Sequence, residues 1–273
     1  MNSALPNALT LIGAGRMGGA LLRGWLDLGV SPGNVIVIDP APTADMQALC
    51  AQKGVALNPP PPYRAADVLV LAVKPQMLDT AASDLAVHIS ANTLVLSIMA
   101  GKTIADIAAR LPAARAIVRS MPNTPAAVGR GVTGAVASAH ISPAQRDCAH
   151  ALLSAVGGVV WLDSESLIDA VTAVSGSGPA YVFLLAEALT DAGEMAGLPR
   201  HIAAQLARAT VEGAAELMYR EQATEPAQLR VNVTSPGGTT AAALAVLMAE
   251  DGMTDLMTRA VAAAKRRAGE LSG

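Results

Sequence analysis

Aromatic residues are nearly missing from this chain: one Phe, two Trp and three Tyr make up 2% of its 273 residues. A core without rings has to be filled by Ala, Val, Leu, Ile and Met, and the hydrophobic fraction of 52% is drawn almost wholly from these. Cysteine is scarce as well. Cys50 and Cys148 stand far apart, which reads as two buried free thiols rather than a bridge or a metal pair. No H-x-x-x-H or C-x-x-C spacing occurs, so no metal site is expected, and there is no G-x-S-x-G elbow. Lysine occurs only at Lys53, Lys74, Lys102 and Lys265, leaving the span from Thr103 to Ala264 without one. A net charge of −3 and a pI near 5.8 give no electrostatic footprint for nucleic acid. Mean hydropathy is +0.41. The longest apolar runs, such as 241–249, nevertheless fall short of the roughly 18 residues a membrane span needs. The start, Met1-Asn2-Ser3-Ala4-Leu5-Pro6, has no basic region of signal-peptide type. The expectation is a cytoplasmic protein without a nucleic-acid or membrane partner.

What is present begins at Leu9. A short apolar run, Leu9-Thr10-Leu11-Ile12, leads straight into Gly13-Ala14-Gly15-Arg16-Met17-Gly18, a G-x-G-x-x-G spacing, and then into helix-compatible residues through Leu28. This order of strand, glycines and helix suits a dinucleotide. Gly13 permits the turn, Gly15 lets a pyrophosphate approach the backbone, and Gly18 lets the helix lie close on the strand. The free N–H groups at the helix start attract the anion. Val35 to Ile38 reads as the next strand and ends at Asp39, 21 residues past Gly18. A carboxylate there accepts from a ribose 2′-OH and repels a 2′-phosphate, which argues for NADH over NADPH. As plain structure, Asp39-Pro40 is a loop starter.

Near-continuous apolar strands at 68–73, 93–98 and 116–119 alternate with helices at 43–53, 76–88 and 102–111. Two more strands, 131–137 and 158–162, flank a helix over 143–155. Such a pattern implies a parallel sheet covered on both faces, with Pro59 to Pro62 as a rigid connector. Ligands of these sheets bind beyond the carboxyl ends of the strands. The glycine loop, Asp39, Lys74-Pro75, Met99 to Gly101 and the segment Met121 to Pro125, with Asn123 at its centre, are therefore expected in one cleft. A boundary is expected near Asp163, dividing a Rossmann domain over 1–163 from an all-α domain over 164–273.

The second half reads as helices over 178–195, 200–221, 240–250 and 253–270, rich in Ala and Gly and apolar enough for a subunit interface. Asn232-Val233-Thr234-Ser235-Pro236-Gly237-Gly238-Thr239-Thr240 interrupts them. Two glycines and two threonines before a helix make a nest of N–H groups that suits a carboxylate. The other reading is an ordinary helix start with Thr239 or Ser235 as N-cap. His88, His140, His150 and His201 fall outside the strand-end loops and read as surface or helix residues.

Together these motifs resemble the pyrroline-5-carboxylate reductase family over nearly the whole chain. The likeness rests on the glycine fingerprint, Ala72-Val73-Lys74-Pro75, Met121-Pro122-Asn123-Thr124-Pro125, and Asp169 to Thr172 running into Ser175-Gly176-Ser177-Gly178-Pro179-Ala180-Tyr181. Above all it rests on Val233-Thr234-Ser235-Pro236-Gly237-Gly238-Thr239-Thr240. The resemblance implies dinucleotide contacts from Ile12, Gly13, Ala14, Gly15, Arg16 and Met17, from Ala72 to Pro75, and from Ile98, Met99 and Ala100. It implies substrate contacts at Glu165, Asn232, Thr239 and Thr240, beside the Ser235-Gly237-Gly238 nest. It implies a helical domain interlocked with a second subunit, and a decameric ring of dimers as one assembly. The activity implied is NADPH- or NADH-dependent reduction of 1-pyrroline-5-carboxylate to L-proline, with Thr240 hydrogen-bonding at the imine nitrogen. The proline-filled loop 58–66 departs from the family, which places an asparagine there against the adenosine ribose; Asn58 is the one candidate. Two other readings remain open. A β-hydroxyacid dehydrogenase shares the plan but uses a lysine acid/base on the helical domain, and the matching region here, around Ser175 to Tyr181, has no lysine, nor has the next helix. A non-catalytic dinucleotide sensor would use the second nest only as a helix cap.

Overall fold

The computed structural model describes residues 5–272. Its first part is an eight-stranded sheet in the order β3-β2-β1-β4-β5-β6-β7-β8. The strands are β1 (Leu9–Ile12), β2 (Val35–Ile38), β3 (Ala56–Leu57), β4 (Val68–Leu71), β5 (Leu94–Ser97), β6 (Ala116–Met121), β7 (Gly131–Ala137) and β8 (Gly157–Trp161). Every residue of β1, β4, β5 and β6 is buried, as strands covered on both faces require. Helices α1 (Arg16–Leu28), α2 (Ala44–Lys53), α3 (Met77–Ala86), α4 (Ile104–Arg110) and α5 (Pro143–Ser154) connect them. Three of these start on side-chain caps: Thr43 for α2, and capping boxes Thr103/Asp106 for α4 and Ser142/Gln145 for α5.

The doubly wound fold is as expected, with one exception in strand direction. β7 runs antiparallel to β6, while β8 is parallel to β7. Only residues 122–130, partly a 3₁₀ turn at Thr124–Val128, join β6 to β7. A parallel crossover takes a dozen or more residues, so the chain turns back instead. The two-residue strand β3 was not expected; it pairs with β2 and precedes the proline connector. His88 is a second correction. It is 2% exposed, with its ring against Tyr63, and not on the surface.

The chain divides into two compact units, one of residues up to Gly176 together with 265–272, the other 177–264. The sheet ends close to the expected line at Asp163, but α6 (Ile168–Val171) and a π-helical turn at Thr172–Gly176 stay with the first unit. The second unit holds α7 (Gly178–Met195), α8 (Arg200–Arg220), α9 (Pro226–Asn232), α10 (Thr239–Leu247) and the start of α11 (Met253–Ser272). Helix α9 was not foreseen, so Asn232 closes a helix rather than sitting in a loop. Only Ala203 and Ala207 of residues 177–264 are buried, while Phe183, Leu184, Met195 and Val246 are exposed. The helical stretch 165–195 also holds an 18-residue window of mean hydropathy 1.3, long and apolar enough by composition to cross a membrane. Counting unbroken apolar runs did not reveal it.

Helix α1 is the support for the glycine loop, and Trp25 is its anchor. The side chain is fully buried and its Nε1 donates to the Leu152 carbonyl at 2.9 Å, joining α1 to α5. We expect Trp25→Ala to lower the unfolding free energy by about 3–5 kcal/mol in urea titrations. A loss under about 1 kcal/mol would remove Trp25 as an anchor.

Candidate dinucleotide and carboxylate sites

The glycine loop joins β1 to α1 under tight steric limits. Gly13 has φ +88°, and a Cβ on it would come within 2.8 Å of the Ala72 carbonyl oxygen. A Cβ on Gly18 would lie 2.2 Å from the Gly13 carbonyl oxygen and 3.2 Å from the Ala72 Cβ. Those two positions therefore fix how closely helix and strand approach. At Gly15 the reverse holds: nothing lies within 4 Å of where a Cβ would be. Gly15 is an extended N-cap, and no side chain caps α1. The N–H groups of its first turn, from Arg16 and Met17 onward, are thus left without a side-chain cap at the positive end of a helix. A pyrophosphate fits that arrangement.

Asp39 lies beside this loop. Its Oδ2 accepts the Ala14 N–H at 2.7 Å and its Oδ1 accepts the Ala41 N–H at 2.8 Å. Asn58, at φ 48°, locks the same residue: its Nδ2 donates to the Asp39 carbonyl at 2.8 Å and its Oδ1 accepts the Asp39 N–H at 2.9 Å. A cavity of about 580 Å³ opens next to this pair, lined among others by Ile12, Ile38, Pro40, Asn58, Val73 and Met77. The structure thus brings Ile12, Gly13, Ala14, Asp39, Ala72 and Val73 together. Lys74 is exposed at the same strand end, beside Pro75. The Ile98 N–H donates to the Leu71 carbonyl, so the loop Ile98–Met99–Ala100 follows directly alongside.

Two expected site residues are engaged elsewhere. Asn123 Nδ2 donates to the Ser175 carbonyl at 3.1 Å and its Oδ1 accepts the Val132 N–H at 2.9 Å, so its amide acts as a strut. Glu165 Oε1 accepts the Ile104 N–H at 2.8 Å and Arg119 Nη1 at 2.9 Å. Asp106, in the capping box of α4, is held below the ordinary carboxylate range, chiefly by the Thr103 N–H and hydroxyl. The Cys148 thiol is pushed up to about 11 by burial, so it stays protonated at neutral pH and is no nucleophile. Among the described residues no three His, Cys, Asp or Glu side chains are grouped to hold a metal ion.

The second turn lies in the helical unit. The N-cap of α10 is Gly238, extended at φ −82° and ψ 177°, and no side chain caps the helix. Neither Thr239 nor Ser235 caps it, which corrects the plainer sequence reading. Gly237 takes φ +69°, and the Gly238 N–H closes back on the Ser235 carbonyl at 3.0 Å. Thr239 and Thr240 open the helix, both exposed. Asn232 is also exposed, its Oδ1 taking the Gln228 amide at 2.8 Å. Helices α7 and α9 carry proline in the first turn and α8 has Pro199 as its N-cap. α1 and α10 instead start on an extended glycine, with neither side-chain cap nor first-turn proline.

Sequence reasoning missed Arg119 and left Asn58 undecided. Both carried a signal: a charge inside a strand must find a buried partner, and asparagine tolerates positive φ better than most residues.

Residues 165–271 match the family model described as pyrroline-5-carboxylate reductase dimerisation, and residues 8–101 match that described as NADP oxidoreductase, coenzyme F420-dependent. The exposed apolar helices fall within the first span, so self-association belongs to this part of the chain. The chain is 43% identical over 267 residues to the pyrroline-5-carboxylate reductase of Pseudomonas aeruginosa, covering 97% of this chain and 96% of that protein. It is 45% identical over 265 residues to that of Synechocystis sp., covering 96% and 97%. Among solved structures it is similar to a pyrroline-5-carboxylate reductase from Coxiella burnetii, with a TM-score of 0.88, 37% identity, and 98% and 99% of the two chains covered. It is also similar to the Plasmodium falciparum pyrroline carboxylate reductase with NADP bound, with a TM-score of 0.76, 27% identity, and 97% and 98% covered. The chain belongs to the pyrroline-5-carboxylate reductase family.

Proposed function

We propose that the protein reduces 1-pyrroline-5-carboxylate to L-proline with NAD(P)H, the last step of proline biosynthesis. The observation that carries this reading is the pair of open helix starts, at Gly15 and at Gly238, each offering free N–H groups to an anion. One suits the pyrophosphate of the cofactor; the other suits the carboxylate of the substrate.

When bound, the reduced dinucleotide supplies the hydride that adds to the imine carbon. The chain's own work is to bind and orient. The glycine loop and Asp39 hold the nucleotide end, and Ile98 to Ala100 supports it. Gly238, Thr239 and Thr240 N–H groups grip the substrate carboxylate, with Ser235 and Asn232 as further candidate contacts. The imine nitrogen must gain a proton, which comes finally from water. The Thr240 hydroxyl donates a hydrogen bond at that nitrogen and positions it; a hydroxyl is too weak an acid to do more. No strong base is required for this direction, in keeping with a helical unit whose sequence carries no lysine from 177 to 264. A β-hydroxyacid dehydrogenase would need one. A dinucleotide sensor would have no use for an uncapped Gly238 turn.

The exposed apolar side chains of α7 and α10, together with a family model described as dimerisation, support an interlocked homodimer. A decameric ring of such dimers is the larger assembly that the resemblance implies. The reading puts the enzyme in the cytoplasm, with the pool of reduced dinucleotide it draws on.

Two outcomes are expected. Thr240→Ala lowers turnover by about 10- to 1,000-fold while dinucleotide affinity is retained, measured by steady-state kinetics and equilibrium binding. Unchanged turnover would take Thr240 out of the reaction. The second concerns Asp39, whose fixed carboxylate favours a free 2′-OH. A 2′-phosphate about 4 Å away would be repelled by roughly 1–4 kcal/mol. The wild type is expected to prefer NADH, and Asp39→Ser to shift the ratio of kcat/KM values toward NADPH by about tenfold or more. The ratio is the readout, because losing the bond to Ala14 loosens the loop for both cofactors. A wild-type preference for NADPH that the substitution leaves alone would contradict this role.

A further inference from the structure

Arg119 sits in β6, 3% exposed. A guanidinium buried to that degree is costly unless it is paired. Nη1 donates to Glu165 Oε1 at 2.9 Å, Nη2 lies 4.0 Å from Asp169 Oδ1, and Nε has no partner. The pairing is thus concentrated on one carboxylate oxygen. That same Oε1 accepts the N–H of Ile104, the first residue of α4, at 2.8 Å. Helix α4 already has its own Thr103/Asp106 capping box, so the Glu165 bond is an additional tether.

The tether closes one end of a loop whose other end is fixed in a similar way. Ser97, the last residue of β5, is opposite Arg119 in the strand register. Its Oγ accepts the Met99 N–H at 3.2 Å, and its carbonyl accepts the Ser120 hydroxyl at 2.9 Å. Between the ends, Gly101 takes φ +70°, and a Cβ there would come 2.6 Å from the Leu271 carbonyl oxygen. The segment 98–103 is therefore held by Ser97 at Met99 and by Glu165 at Ile104, with Gly101 packed close to Leu271 between them, and β6 backs both holders through Ser120 and Arg119.

We infer that Arg119 and Glu165 are positioning residues for this loop: they hold 98–103 in the shape that the reduced dinucleotide needs, and Glu165 acts on cofactor affinity rather than on the substrate. The inference rests on the proposed reading of Ile98 to Ala100 as a dinucleotide contact. It departs from the expectation that Glu165 contacts the substrate.

Ile104→Pro offers a test that leaves both charges in place. Proline is favoured at the first helical position, and Thr103 before it is already extended, so the helix tolerates the change while the N–H disappears. Ile104→Ala loses the same packing but keeps the N–H. Glu165→Ala removes the bridge, and Glu165→Gln keeps an acceptor oxygen at the same place. The measurements are the Kd of NADH and of NADPH by fluorescence titration without substrate, and the KM of pyrroline-5-carboxylate at saturating dinucleotide, with melting curves for each variant. Expected is a Kd raised about 10- to 100-fold in Ile104→Pro and Glu165→Ala. Ile104→Ala and Glu165→Gln should stay within about threefold of the wild type, as should every KM for the imine. Wild-type Kd values in Ile104→Pro would overturn the inference. So would a Glu165→Ala variant whose imine KM rises while its dinucleotide Kd stands still. If Ile104→Pro and Glu165→Ala both fail to fold while the two controls fold, the tether serves stability alone and the inference again fails. Failure of the wild type to bind either dinucleotide would instead sink the reading of the glycine loop.

Discussion

Helix α1 can begin where it does only because a hydrogen atom, and no carbon, stands on Gly18. The Gly13 carbonyl occupies the place where a Cβ would be, at 2.2 Å. That contact sets the seat of α1 on β1, and the seat sets the rest. It brings the open helix start over the carboxyl end of the central strand. It leaves Ala14 where Asp39 can accept its N–H, and it lets Ala72 at the end of β4 close the other side. Trp25 then fixes the far end of the helix against α5. A larger residue at position 18 would lift the helix and dismantle several contacts at once, since each depends on the same few tenths of an ångström.

Much of this was legible in the sequence because it depends on local rules. The G-x-G-x-x-G spacing, the apolar strands and the residue after β2 each announce themselves within a few positions. What was not legible depends on partners distant along the chain. Asn123 reads as a cleft residue, but its amide is spent on Val132 and Ser175, 9 and 52 positions away. Glu165 reads as a ligand contact, but Arg119 is 46 positions earlier and Ile104 is 61. The antiparallel turn between β6 and β7 was decided by the shortness of residues 122–130, which strand patterning alone does not weigh. His88 lacks any local signal for burial; Tyr63, brought by the proline connector, covers it.

The scarcity of aromatic residues has a consequence in the helical unit. Its three rings, Tyr181, Phe183 and Tyr219, are not buried, and the many Ala and Gly side chains leave each helix little area to bury against its neighbour in one chain. In residues 177–264 burial reaches completion only at Ala203 and Ala207. The apolar side chains of α7, α8 and α10 remain outside, far more than a surface of single scattered hydrophobes requires. Such a unit is completed by a second copy, as its family model's description says of the family. The same property explains the membrane-like window at 165–195: a helix that is apolar all round is what an interface shared between chains demands.

The two open helix starts are best understood against the capped ones. Thr43, Thr103 and Ser142 show that this sequence can cap helices with side chains. A glycine in the N-cap place of serine or threonine costs a helix only a few tenths of a kcal/mol, because water then satisfies the free N–H groups. An anion seated there gains about 0.3–1 kcal/mol from the helix dipole at an exposed site, and up to ~2 kcal/mol when partly buried. An empty seat is therefore cheap to keep and profitable to fill. The sequence forgoes its own cap at Gly15 and at Gly238 and at the same time clears the space above Gly15. A side-chain cap at either place would compete with the ligand for the same N–H groups, so a site for an anion has to be left uncapped in advance.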